Sequence, residues 1–131
     1  MKFDVGILRL ASEAANHATA RQSIIAENMA NSDTPGYRAK DIASFAEVLH
    51  ARTNLTEFNR PVREGHIPFE SYIQGQRADE SSAFGSESPN GNTVSIEDQM
   101  VRAAEVKHQH ELALGVYQKS MNILRASLGR K

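Results

Sequence analysis

The sequence predicts a mainly α-helical chain. Long N- and C-terminal helices pair as an antiparallel, coiled-coil-like hairpin, with a short helix and a long, partly disordered loop between them. Three observations carry this expectation. The two ends are long segments without proline. Their apolar residues recur at steps of three and four, the period of one helical face. All four prolines and most of the glycines fall between those segments, where they break any regular pattern.

Composition narrows the class further. With 131 residues the chain is one domain's worth, and residues 1–131 are expected to form a single unit. Hydrophobic residues make up 40% but aromatics only 6%, without tryptophan, so helix-on-helix packing suits the chain better than a bulky globular core. A net charge of -1 with no Lys/Arg run offers no field for a phosphate backbone, so nucleic acid is not an expected partner. The absence of cysteine removes disulfides, thiolate metal sites and thiol nucleophiles together. No apolar run is long enough to insert in a bilayer, and the first ten residues lack the apolar core of a cleavable signal.

The first helix is expected over residues 5–31. Ile7, Ala11, Ala14, Ala18, Ile25 and Met29 form its stripe, and the many alanines allow a partner helix close approach. Arg9, Glu13 and Arg21 are expected to remain in water. Asn28 to Asn31 provide a stop, and residues 32–40 a turn. Within it Thr34-Pro35-Gly36-Tyr37 suits a type II turn, since Pro presets the first central φ and Gly accepts the positive second one.

A short helix is expected over residues 41–52, with Phe45, Val48 and Leu49 on one face and Ser44/Glu47 at capping-box spacing. Residues 53–94 read as a loop with strand pieces near 67–73. Its Ser/Gly/Asn-rich end, 81–92, offers little to bury and is expected to order only on assembly.

The second long helix spans residues 95–129, opened by the Ser95/Asp98 cap. Its seam is read as Ile96, Met100, Ala103, Lys107, His110, Leu114, Tyr117, Met121, Leu124 and Leu128, with Lys107 and His110 as polar interruptions. Val101, Glu105, His108, Leu112, Val116, Lys119, Ile123 and Ala126 form a second stripe on roughly the opposite side. A two-helix hairpin covers only one such face, so the other is covered either by the loop folding back over it or by a partner, a second copy or a sister subunit.

Around the first turn the string Gln22-Ser23-Ile24-Ile25-Ala26-Glu27-Asn28-Met29-Ala30-Asn31-Ser32-Asp33-Thr34-Pro35-Gly36-Tyr37 resembles the signature of flagellar basal-body rod proteins. The Pro-Gly-Tyr ending, the following Ala39 and Asp41, and the chain length are most similar to the proximal-rod members. A second likeness is Gly91-Asn92-Thr93-Val94 ahead of the C-terminal helix. The chain departs from the pattern at Gln99, where Glu is common, and at residues 108–111.

The resemblance implies an axial subunit that packs with itself and other flagellar rod and basal-body proteins in a helical assembly. It further implies export by the flagellar type III apparatus and a place in the rod across the periplasm. Asn28, Ala30, Asn31, Thr34, Pro35, Gly36 and Tyr37 then form the assembly motif; Ile7, Ala11, Ala14, Ala18, Ile25, Met100, Leu114, Tyr117, Met121, Leu124 and Leu128 pack helices. No catalytic residue, cofactor or metal is expected.

Two other classes stand beside this reading. A helical adaptor or export partner of axial proteins would share the amphipathic faces. A carboxylate-bridged metal enzyme would use Glu105-x-x-His108, but such sites need a second copy of the motif and further inward carboxylates. Glu13/His17 does not supply them.

Overall fold

The computed structural model describes residues 2–58, 79–80 and 87–129. In chain order these form helix α1 (Lys2–Ala30), strand β1 (Lys40–Asp41), helix α2 (Phe45–Phe58), strand β2 (Asp79–Glu80) and helix α3 (Ile96–Ser127). α1 and α3 dominate, and no helix among the described residues is long and apolar enough to cross a membrane.

α1 and α3 pack antiparallel. Asn28 near the end of α1 bonds Gln99 near the start of α3, while Ala18, ten residues back along α1, shares a core cluster with Val106, seven residues further along α3. Ala18, Ile25 and Val106 form that cluster with Ala103 against it. The seven-residue spacing of Ala11, Ala18 and Ile25 on α1, and of Gln99, Val106, Ala113 and Ser120 on α3, is the repeat of a coiled-coil seam. Small residues at most of these positions let the backbones approach closely. Burying a Val or Ile here contributes roughly 1.5–3 kcal/mol.

The α3 seam differs from the sequence expectation. The buried positions are rotated by one residue, about 100° on the helix, from the row containing Met100, Leu114 and Leu128. Met100 is 59% exposed and Leu128 78%. Ala103, His110 and Leu124 are half-buried on the seam's flank; Tyr117, at a matching position, and Ile7 on α1 remain exposed. The reason is that apolar residues are spread around α3, leaving almost no net amphipathicity to orient it. Small size and the Asn28–Gln99 bond select the face instead.

The short helix begins at Phe45, not at residue 41, and continues to Phe58. Residues 40–41 instead pair with 79–80, Lys40 opposite Glu80 and Asp41 opposite Asp79 in an antiparallel register. The start is fixed by a reciprocal capping box: the Ser44 amide and hydroxyl both donate to Glu47 Oε2, and the Glu47 amide donates back to Ser44 Oγ. These bonds hold the Glu47 carboxyl below the usual carboxylate range. Ser95 is the N-cap outside α3, accepting from the Asp98 amide at 3.3 Å. The strand pieces expected near 67–73 lie outside the described residues.

Ile25→Ala should cost about 2–5 kcal/mol of stability in urea unfolding followed by circular dichroism. Met100→Ala should stay within about 0.5 kcal/mol. Equal losses at the two positions would contradict the rotated seam.

Candidate functional site

The residues of the first motif converge at the end of α1. The Tyr37 amide donates to the Thr34 carbonyl at 3.2 Å and Gly36 has φ 70°, which together make the type II turn that Pro35-Gly36 specifies. Upstream, the Asn31 side-chain amide donates to the Glu27 carbonyl and its oxygen accepts from the Thr34 hydroxyl. The turn is therefore tied to the last turn of the helix. Thr34, Pro35 and Gly36 are exposed, as is Ala30.

Asn28 is buried and has every polar valence filled. Its Nδ2 donates to the Lys40 carbonyl at 2.7 Å and to Gln99 Oε1 at 3.1 Å; its Oδ1 accepts from the Lys40 amide at 3.0 Å. The Tyr37 hydroxyl lies 3.3 Å from the same oxygen and 3.4 Å from Glu27 Oε1. One side chain thus joins α1, the chain leaving its turn, and α3. Gln99, where the chain departs from the rod-protein pattern, still presents an acceptor oxygen, so the departure leaves this contact intact.

The second motif docks on the first. Asn92, 2% exposed, donates through Nδ2 to the carbonyls of Asn31, Ser32 and Thr34 at 2.8–2.9 Å, and its Oδ1 accepts from the Val94 amide. These carbonyls belong to the turn beyond α1; those of Asn31 and Thr34 also accept from the Thr34 and Tyr37 amides, and Asn92 ties all three to a segment 61 positions after Asn31. Backbone bonds extend the contact: Gly36 amide to Asn90 carbonyl at 3.0 Å, and Thr93 amide to Tyr37 carbonyl at 3.1 Å. The Thr93 hydroxyl accepts from the Ala39 amide at 2.9 Å. Gly91 has φ 78°, and a Cβ placed on it would sit 3.5 Å from Gly36 Cα, so the two glycine turns lie face to face. Residues 87–92 are accordingly ordered within the single chain, contrary to the expectation that all of 81–92 orders only on assembly; they gain fixed partners by docking on a turn distant in sequence.

A charged bridge continues the joint. Arg21 on α1 grips Asp41 with two bonds, Nε to Oδ1 at 2.9 Å and a terminal nitrogen to Oδ2 at 2.8 Å. Arg102 on α3 donates to the same Oδ2 at 2.6 Å and to Asp98 at 2.8 Å. Burial pushes the Asp41 carboxyl up, but Arg21, the Ile42 amide and the nearby Arg102 outweigh it and hold it below the usual carboxylate range. Arg21, expected in water, is only 15% exposed in its side chain. It lies on the seam side of α1, where Asp41 gives its charge a partner. Outside the bridge, Lys40 pairs with the exposed Glu27 at 2.8 Å and lowers its pKa.

Beside the bridge His17 is buried. Its Nε2 donates to the Ala43 carbonyl at 2.8 Å and its ring lies 5.6 Å from that of Phe45, which ties the start of α2 to α1. Burial lowers its pKa despite that bond. Glu105 and His108, the spacing considered for a metal, are both exposed, and no group of three metal-capable side chains converges among the described residues.

Sequence reasoning singled out the turn but missed the roles of Asn92, Asp41, Arg21, Arg102 and His17. The signals available were the Gly91-Asn92-Thr93-Val94 string and Asp41 itself, both noted only as likenesses. An open groove of about 680 Å³ lies along one side of the helix pair. Ala18, Gln22 and Ala26 of α1 and Ala103, Ala104 and Lys107 of α3 are among the residues that line it.

The profile of the family described as "Flagella basal body rod protein" matches residues 8–38, most of α1 together with the turn that follows it. Three relatives, each named flagellar basal body rod protein FlgB, match across most of their length. That of Yersinia ruckeri is 31% identical over 130 residues, covering 92% of this chain and 94% of the relative. That of Salmonella typhimurium is 30% identical over 115 residues, 83% of each. That of Bacillus subtilis is 26% identical over 128 residues, 98% and 97%.

Because the Asp41 pKa is depressed by folding, its contribution to stability is complete above the unfolded carboxylate's pKa, near pH 4, and is lost as pH falls through the lower folded value. Asp41→Asn should lower stability at neutral pH and flatten this acid limb in unfolding curves taken from pH 7 down to about 2. An unchanged limb in the variant would remove Asp41 as its source.

Proposed function

The chain belongs to the flagellar basal body rod protein family of FlgB, and from that premise we propose that it is a structural subunit of the proximal rod. In this reading residues 1–131 act as one rod-type domain. α1 and α3 pack laterally against copies of the chain and sister rod proteins, and the assembled shaft transmits torque without a bond being made or broken. Export through the flagellar type III apparatus places it in the rod across the periplasm.

The observation that carries the proposal is the surface of α3. After the hairpin forms, Val101, Leu112, Val116 and Ile123 remain exposed along one stripe of the helix, with Met100 exposed on another side. An exposed apolar stripe of this kind marks a contact surface. Contacts between unlike patches that do not close into a ring propagate a helical filament. A subunit exposing apolar residues along one long helix, beside an open groove bounded by the other, has the surfaces such an assembly requires.

The joint has its own part in this function. Asn28, Asn31, Thr34, Pro35, Gly36 and Tyr37 fix where the chain leaves α1, Asn92 clamps that exit, and Asp41 links both helices through Arg21 and Arg102. Neighbours in a tube read the relative placement of α1 and α3, so a joint that holds this placement sets the contact geometry.

Gly36→Val places a β-branched residue at φ 70° and should impair incorporation into rods, with reduced motility at normal expression. Unchanged rod assembly would remove the turn's proposed role. Quantitative mass spectrometry of detergent-isolated basal bodies should find the chain in wash-resistant amounts comparable to recognised rod components. Its absence from intact rods would favour the adaptor reading.

A further inference from the structure

Asn90-Gly91 is the only Asn-Gly pair in the chain. Asparagine is among the thermolabile residues, and its reaction is fastest before glycine, where no Cβ hinders approach of the following backbone nitrogen. The pair sits at the tip of the second motif, with Asn90 exposed to water. The Gly91 amide donates to the Ser88 carbonyl at 2.8 Å and the Ser88 amide to the Asn92 carbonyl at 2.9 Å. With Pro89 at the first central position, negative φ at Asn90 and φ 78° at Gly91, this is a type I turn closed by a left-handed glycine.

Three bonds fix the pair in this conformation and keep the reacting atoms from rearranging toward each other. The attacking nitrogen, that of Gly91, is engaged with Ser88. The side-chain oxygen of Asn90 accepts from the Asn92 amide at 3.1 Å. The backbone carbonyl of Asn90 accepts from Gly36 at 3.0 Å, which holds the pair against the turn after α1. The last bond, with the Asn92 clamp beside it, exists only when the two motifs are docked.

We propose that Asn90-Gly91 is a spontaneous deamidation site controlled by the joint. In a chain whose motifs are undocked, the deprotonated Gly91 nitrogen bonds to Asn90 Cγ, the carboxamide C–N bond breaks, and ammonia leaves. The resulting succinimide takes up one water and opens at either carbonyl, giving aspartate or its β-linked isomer. One water is consumed, one ammonia is released, and nothing is oxidised or reduced. The β-linked product lengthens the backbone at the residue whose carbonyl receives Gly36 and adds a carboxylate there, so a modified chain no longer fits the docked arrangement. Closing the joint thus protects the residues that form it.

The test incubates the full chain at mildly alkaline pH, folded and in urea at the same temperature. Aspartate and isoaspartate are mapped by peptide mass spectrometry and by enzymatic methylation of isoaspartyl groups. Conversion at Asn90 should be at least about tenfold faster in urea, as expected when reaction requires local opening. In urea Gly91→Ala should suppress it. Asn92→Ala, checked for retained helix by circular dichroism, should raise the rate in buffer towards the urea value; if that variant loses its helix, the wild-type comparison decides. Equal wild-type rates folded and in urea, or another asparagine reacting ahead of Asn90 in urea, would overturn the proposal.

Discussion

The arrangement of this chain depends on how the end of α1 satisfies its polar groups. A helix stop leaves carbonyls without partners, and most helices answer locally or with water. Here the last helical carbonyls are met locally, those of Glu27 and Asn28 by the Asn31 amide and that of Met29 by the Ser32 amide, while Asn92, 61 residues after Asn31, bonds three carbonyls of the turn that follows. That clamp brings the leader of α3 against the α1 turn, and α3 then runs back along α1. Asn28 fixes the same junction from inside, because its oxygen and nitrogen are both committed to Lys40 while its second donor reaches Gln99.

Polar groups carry this weight because the apolar core is modest. Among the described residues, four of the seven buried hydrophobic positions are alanines, and only Ile25, Ile42 and Val106 are larger. Small residues give close helix approach but little transfer energy. The buried side-chain polar atoms, by contrast, all have partners among the described residues, and directed bonds specify one orientation where hydrophobic contact alone permits several. The charged bridge has the same character: a carboxylate between two arginines from different helices loses both partners' geometry if either helix rotates.

The thin core also explains the surface. A seam built from Gln99, Val106, Ala113 and Ser120 leaves the large residues of α3 outside, at the cost of exposed apolar area in the single chain. For a member of a rod family this distribution is coherent. Intramolecular contacts set the shape through polar specificity, and the larger apolar residues stay exposed, as the proposed packing against neighbouring subunits requires.

Several features were legible without coordinates. The long proline-free ends, the Ser44/Glu47 and Ser95 caps and the Pro35-Gly36 turn rest on interactions within a few residues, so local spacing determines them. The family likeness around the turn was readable for the same reason. The seam of α3 was not, because apolar residues surround that helix and periodicity cannot choose among equivalent rows. Nor was the burial of Arg21, Asn92 and His17, or the shared role of Asp41, since each acquires its partner from a segment remote in sequence. The sequence by itself determined the three helices, their caps and the turn; the tertiary structure decided the pairing of residues 40–41 with 79–80, which face of α3 meets α1 and that the two motifs form one joint, because those outcomes rest on long-range polar bonds that no local pattern encodes.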